Sequence, residues 1–189
     1  VNTVTMYRKV VHAYYIHAWH LFVVSGLRRG ELCGRRWSDI AGNRLYVKES
    51  INQQLRTNHG KNDNAMRCVA LGKRAFEILD AQKAMLKQMG IISPWVFPDE
   101  RAKMSTSPRR MYKCWYKYRN EHGIIVSLHE LRHTFVSAVK SDMPEPLLKS
   151  MVGHSEDMDT FGTYGQEIDG DIDMTGRIVD TVFDRLISQ

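Results

Sequence analysis

The stretch SLHELRHTF, residues 127–135, both starts a helix and says which way it faces. Ser127 and Glu130 stand three apart as a capping box, serine hydroxyl to the amide of the third helical residue and glutamate back to the serine amide. The helix therefore begins near Leu128. Leu131 and Phe135, four apart, share an apolar face that seeks a core, while His129 and Arg132 occupy another. Both polar residues lie in the opening turn or so, where free backbone N–H groups favour an anion. An arginine there presents a planar fork that grips two oxygens at once. Alone, the HxxR spacing is common on surface helices and decides nothing.

Upstream, apolar residues at 10, 11, 14, 15, 18, 21 and 22 give Arg8–Val24 a helical stripe, broken by Ser25-Gly26. A second short helix is predicted from Leu27 to about Trp37. After a turn at Gly42-Asn43, the alternation of Arg44–Ile51 reads as a strand and Met66–Leu71 as another, with the polar QQLRTNHGKNDN (53–64) as a long hairpin loop between them. From Gly72 a helix places Ala75, Phe76, Leu79, Leu86 and Met89 on one face and closes at Gly90. PWVFPDE (94–100) is a short extended piece. Ser107-Pro108 opens a helix with Met111, Trp115 and Tyr118 inward. Beyond the 127–135 helix, Asp142–Pro146 is a break, Leu147–Val152 one or two turns, and Ile172–Ile187 a last helix with Val179, Val182, Phe183 and Leu186 on one side. That side fits either a neighbouring subunit or the helix's own chain. The fold class is mostly α with a small antiparallel β-sheet, an α+β domain.

The 189 residues suffice for one sizeable core, and no apolar run is long enough for a membrane span. Cys33, Cys68 and Cys114 are odd in number, far apart and without a CxxC pair, which points to a reducing cytosol and away from zinc or disulfides. Charge is divided unevenly. Residues 155–189 carry a net −7 and the remainder a net +13. So basic a body attracts polyanions through counterion release; ribosomal and membrane-surface proteins share that property, so charge gives only the partner's sign.

Several further residues carry chemistry. Arg28 and Glu31 in SGLRRGEL (25–32) repeat the i, i+3 spacing after Gly26, and Arg29 competes with Arg28 for the inward position. Lys61 sits on the hairpin loop beside Gly60, with His59 a nearby rival. His154 follows Gly153, and Tyr164 lies ten residues on between Gly162 and Gly165. Arg109, Lys113 and Lys117 form an i, i+4, i+8 stripe, either a solvated face or a row of phosphate contacts. His12, His17 and His20 fit no metal-ligand spacing.

Taken in order, SGLRRGEL, the hairpin lysine, HELRHTF, VGHS and the tyrosine ten residues on resemble the tyrosine recombinases, the phage-type integrases. The resemblance covers nearly the whole chain as that family's catalytic domain, and implies a fragment whose N-terminal DNA-binding domains lie outside 1–189. It implies Arg28, Lys61, His129, Arg132 and His154 as catalytic groups, Glu31 as the acid behind the first arginine, and Tyr164 as the nucleophile that forms a 3′-phosphotyrosyl bond. Arg29, Arg109, Lys113 and Lys117 are then DNA contacts. The expected partners are double-stranded DNA attachment sites and three further copies in a tetramer on DNA, the isolated chain being monomeric, in a bacterial or phage-infected cytoplasm and at the nucleoid when acting. No metal, cofactor or membrane is implied. Type IB topoisomerases share this residue set and stay open as an alternative, as does a DNA-binding relative without catalysis. The sequence departs from the family pattern in a first motif that begins SG (Ser25-Gly26) rather than TG, in lacking a glycine after the HTF helix, and in Gln166 where a histidine is common.

Overall fold

Tyr14, Tyr15, Ala18, Trp19, Leu21 and Phe22 are buried along one long helix, α1 (Thr3–Ser25). The computed structural model describes residues 3–52, 57–58, 67–153 and 169–188. Three helices lie directly on α1: α3 (Lys73–Gln88), α4 (Pro108–Glu121) and α5 (Leu128–Val139). Trp19 meets Trp115 of α4 edge-on at 5.2 Å and Tyr118 at 4.9 Å, an aromatic seam between the two helices.

The expected start of α5 is present. Ser127 Oγ accepts from the Glu130 amide at 3.3 Å, and the Ser127 amide donates to Glu130 Oε2 at 2.5 Å. Leu131 and Phe135 are buried, so the helix is anchored by the face that periodicity assigned to the core. Burying those two side chains fixes the rotation of α5 and hence the direction of Arg132.

The strands are shorter than their hydrophobic pattern suggests. β1 (Ile40–Ala41), β2 (Arg44–Val47) and β5 (Arg67–Ala70) form an antiparallel sheet in the order β1-β2-β5, with Val47 opposite Arg67. β3 (Ser50–Ile51) leaves that sheet and pairs with β4 (Thr57–Asn58) instead. The break at Lys48-Glu49 has a physical cause: the fully buried Arg35 guanidinium takes the carbonyls of Tyr46, at 2.6 Å, and Glu49, which bends the chain around it. The same arginine shortens the preceding helix. Its Nε takes the Glu31 carbonyl at 2.8 Å, so α2 (Arg29–Cys33) ends at Gly34 and a 3-10 turn (Trp37–Asp39) follows, rather than one helix to Trp37. A Cβ on Gly30 would lie 2.5 Å from the Ile51 carbonyl oxygen; α2 and β3 meet backbone to backbone only because that residue is glycine.

α6 (Glu145–Val152) ends in Gly153 at φ +67°, the left-handed position that glycine tolerates. The last helix, α7 (Asp169–Ile187), buries Ile172, Val179, Val182 and Phe183 against α3, α5 and β5 of its own chain. Phe183 stacks on Phe135 at 6.3 Å. Asp180 accepts from the Lys73 and Arg74 amides at 2.6 and 3.1 Å, capping α3 where Gly72 has no side chain to do so. Met89 and Leu186 were expected inward but are 44% and 47% exposed, each at the end of its helix and past the packed turns. The three cysteines are buried and free, and no described helix is long and apolar enough to cross a membrane.

Candidate active site

Three consecutive carbonyls at the C-terminal end of α6 accept hydrogen bonds from three different arginines. Arg67 Nε donates to Met151 at 2.9 Å, Arg132 Nη2 to Val152 at 2.6 Å, and Arg28 Nη2 to Gly153 at 2.5 Å. A helix leaves its last carbonyls unpaired and carries negative potential there, so guanidinium groups satisfy both demands together. Residues far apart in sequence thus converge because one helix end needs donors. His154 is the next residue after this end and lies outside the described residues, as do Lys61 and Tyr164.

Arg28 occupies the cap position of α2. Its amide donates to Glu31 Oε2 at 2.6 Å and its guanidinium to Glu31 Oε1 at 3.0 Å. The Arg28 side chain nevertheless remains 49% exposed, whereas that of Glu31 is only 5% exposed. Arg132 comes from the second turn of α5 and is 5% exposed, held by the Gly26 carbonyl as well as Val152. Arg28, Arg132 and His129 open onto a single cleft of about 440 Å³, with Arg29, Ser50, Asn52, Pro108 and His133 also on its walls. Neither arginine of the SGLRRGEL string is excluded from it: Arg28 is tied to Glu31 and Gly153, and Arg29 lies over the Tyr112 ring at 5.7 Å. A slightly larger cleft of about 500 Å³ lies along α7, around Asp173, Met174 and Arg177, and has none of these groups.

The charge balance of the cluster is uneven. Three guanidinium groups, of Arg28, Arg67 and Arg132, surround the one carboxylate of Glu31. Burial opposes the Glu31 charge, but the hydrogen bonds and charge of Arg67, with the amide and guanidinium of Arg28, outweigh it and hold that carboxyl down at about 2. Arg132 moves the other way. Burial, and then the neighbouring Arg28 charge, push its guanidinium down to about 10. A cation buried beside like charge, at the wall of a cleft, is stabilised when an anion enters.

The Glu31 shift has a consequence for stability. Its folded value lies below its unfolded one, so its contribution is present above the unfolded value and fades as pH falls from about 4.5 toward about 2. In urea titrations, Glu31→Gln should be less stable than the parent by on the order of 3 kcal/mol at neutral pH, and the gap should close across that acid window. A gap independent of pH would contradict the assignment of Glu31 as an ionised, buried partner.

Of the residues singled out from sequence, Arg28, Arg29, His129 and Arg132 line one cleft and Glu31 stands behind it. Arg109, Lys113 and Lys117 lie exposed on α4, whose first residue, Pro108, touches the cleft. In the opening turn of α5 the capping box takes up the Ser127 and Glu130 amides; the cationic charge on the cleft comes from the arginines. Sequence reasoning missed Arg67, the residue bridging Glu31 and α6, and His133, whose ring meets His129 edge-on at 4.8 Å. The available signals were an arginine heading an otherwise apolar strand and a second histidine one turn along the same helix.

Known proteins share this fold. The integrase of Escherichia phage lambda is 28% identical over 148 residues, covering 74% of this chain; the match takes in only 38% of that relative's length. The lambda integrase catalytic core superposes with a TM-score of 0.57 at 20% identity, over 78% of this chain and 87% of that structure. The Tn1549 transposon integrase, in complex with transposon right-end DNA, gives 0.62 at 17% identity, over 83% of this chain and 56% of that one. These likenesses agree in fold, mostly helical around a small antiparallel sheet. The phage integrase family model matches residues 5–169, a span that holds every motif noted in the sequence, and the chain belongs to that family.

Proposed function

We propose that this chain is the catalytic part of a site-specific DNA recombinase, which cuts and rejoins strands through a covalent 3′-phosphotyrosyl intermediate to integrate or excise a mobile element. The observation that carries the reading is the surplus of guanidinium charge, Arg28 and Arg132 beside His129, opening on one cleft. Membership of the phage integrase family supports it, as does the DNA bound to the Tn1549 relative.

In this reading the Tyr164 oxygen attacks the scissile phosphorus while the bond to the 5′-oxygen breaks. His129 accepts the phenolic proton, since a tyrosine with pKa near 10 does not lose it unaided at neutral pH. Lys61 protonates the departing 5′-oxygen. Arg28, Arg132 and a hydrogen bond from His154 hold the non-bridging oxygens as negative charge grows in the pentavalent state. The ester conserves the bond energy, so a 5′-hydroxyl of another duplex reverses the step and completes strand exchange. Arg29, Arg109, Lys113 and Lys117 contact backbone phosphates around the cleft. Four copies assemble on two duplexes. The SGLRRGEL, HELRHTF and VGHS strings favour exchange over topoisomerase-like relaxation.

The test is trapping on a nicked suicide duplex carrying a candidate attachment site, from which the short 5′-hydroxyl fragment diffuses away. A labelled DNA–protein adduct that survives denaturation is expected. A protein that binds the duplex yet forms no adduct would favour the non-catalytic alternative.

A further inference from the structure

Among the described residues Arg28 has two partners, the Glu31 carboxylate and the Gly153 carbonyl, and Arg67 lies against both. Arg67 heads β5, opposite Val47 of β2, with its side chain 10% exposed. Its two terminal nitrogens take the two oxygens of Glu31 at 2.5 and 2.7 Å, a fork-to-fork pair. Its Nε takes the Met151 carbonyl, which anchors the end of α6. The backbone then turns over the guanidinium itself: a Cβ on Gly153 would stand 3.0 Å from Arg67 Cδ and 3.2 Å from Cζ. Arg67 is too enclosed to serve as an open anion ligand, yet every donor position it uses bears on where Arg28 is held.

We propose that Arg67 is a positioning residue that fixes Glu31 and the Gly153 turn, so that the exposed face of the Arg28 guanidinium is presented to the scissile phosphate. The proposal rests on the reading above that Arg28 is a phosphate ligand. Its physical content is a division of labour over one carboxylate. With Arg67 present, the Glu31 charge is largely neutralised from behind and serves Arg28 as a directional acceptor. Without Arg67, the whole carboxylate is left to Arg28, pairs with it, and competes with the phosphate for the same cation.

That competition gives a readout which simple loosening of the fold does not. In single-turnover cleavage of the suicide duplex, Arg67→Met should be slower by about 10–100-fold, the usual scale for losing a group that orients a ligand, with DNA affinity nearly unchanged. Adding Glu31→Gln to Arg67→Met should restore part of the rate, because the competing charge is gone. Arg67→Lys should fall between, since one ammonium cannot span the carboxylate and the Met151 carbonyl together. A second readout needs no cleavage: exchange of the Arg28 guanidinium protons, followed by NMR in the DNA-free protein, should be about tenfold slower in Arg67→Met than in the parent, because the freed Glu31 carboxylate then pairs with Arg28 alone. If the parent forms no adduct, the proposed activity falls, and proton exchange alone decides the role of Arg67. If the parent forms adduct and Arg67→Met cleaves at the parental rate, or Glu31→Gln brings no recovery, the positioning role falls while the activity stands. Unchanged Arg28 exchange in the variants also overturns it.

Discussion

Tyr164→Phe should bind attachment-site DNA as the parent does and form no covalent adduct with it. The substitution removes one oxygen, the atom that would join phosphorus, and leaves the ring. The two arginines and His129 lie on other elements, so the cation-lined cleft remains. In the proposed function, phosphate is bound by that cleft and the basic face of α4, not by the phenol. Gel-shift titration beside suicide-duplex trapping separates the two properties. A labelled adduct persisting in Tyr164→Phe would mean that another group is the nucleophile, and the assignment would fail even if the family reading stood. Loss of DNA binding together with adduct would instead show that residue 164 supports the fold of the cleft.

How far sequence reaches is seen by comparing Glu130 with Arg67. The Ser127–Glu130 box, the buried Leu131 and Phe135, and the inward stripe of α1 depend on neighbours within one or two turns, and periodicity reports them directly. The convergence of Arg28, His129 and Arg132 on one cleft was legible only through the ordered motifs. No local rule brings residues 28 and 132 together; the open carbonyls at the end of α6 do, and backbone acceptors have no sequence signature. The role of Arg67 was hidden for the same reason: its place at the head of an apolar strand is legible, but its meaning depends on the β2–β5 register and on where α6 ends. Arg35 misled the strand reading likewise, because a buried guanidinium collecting the Tyr46 and Glu49 carbonyls breaks a pattern whose alternation is otherwise sound. In each case a long side chain acts across elements.

Arg132 carries the other large expected effect. Arg132→Ala should slow single-turnover cleavage by roughly 10²–10³, the scale for losing one preorganised donor to a developing oxyanion. The side chain does two things, and the experiment must part them. It holds the Gly26 and Val152 carbonyls together, so truncation leaves two buried acceptors unpaired at about 1–3 kcal/mol each and loosens the junction of α1 with α6. It also places a cation at the cleft wall, where burial and the Arg28 charge already disfavour it and an entering phosphate relieves the strain. Arg132→Lys keeps the charge and loses the fork, so it should recover stability only in part and rate hardly at all. A duplex with a neutral methylphosphonate at the scissile position removes the oxygen charge that the guanidinium would balance. On that substrate the penalty of Arg132→Ala should shrink, whereas a defect caused by a loosened fold would be the same on both. Equal penalties on the charged and neutral substrates would therefore make Arg132 a strut between helices and leave Arg28 as the cation that meets the phosphate.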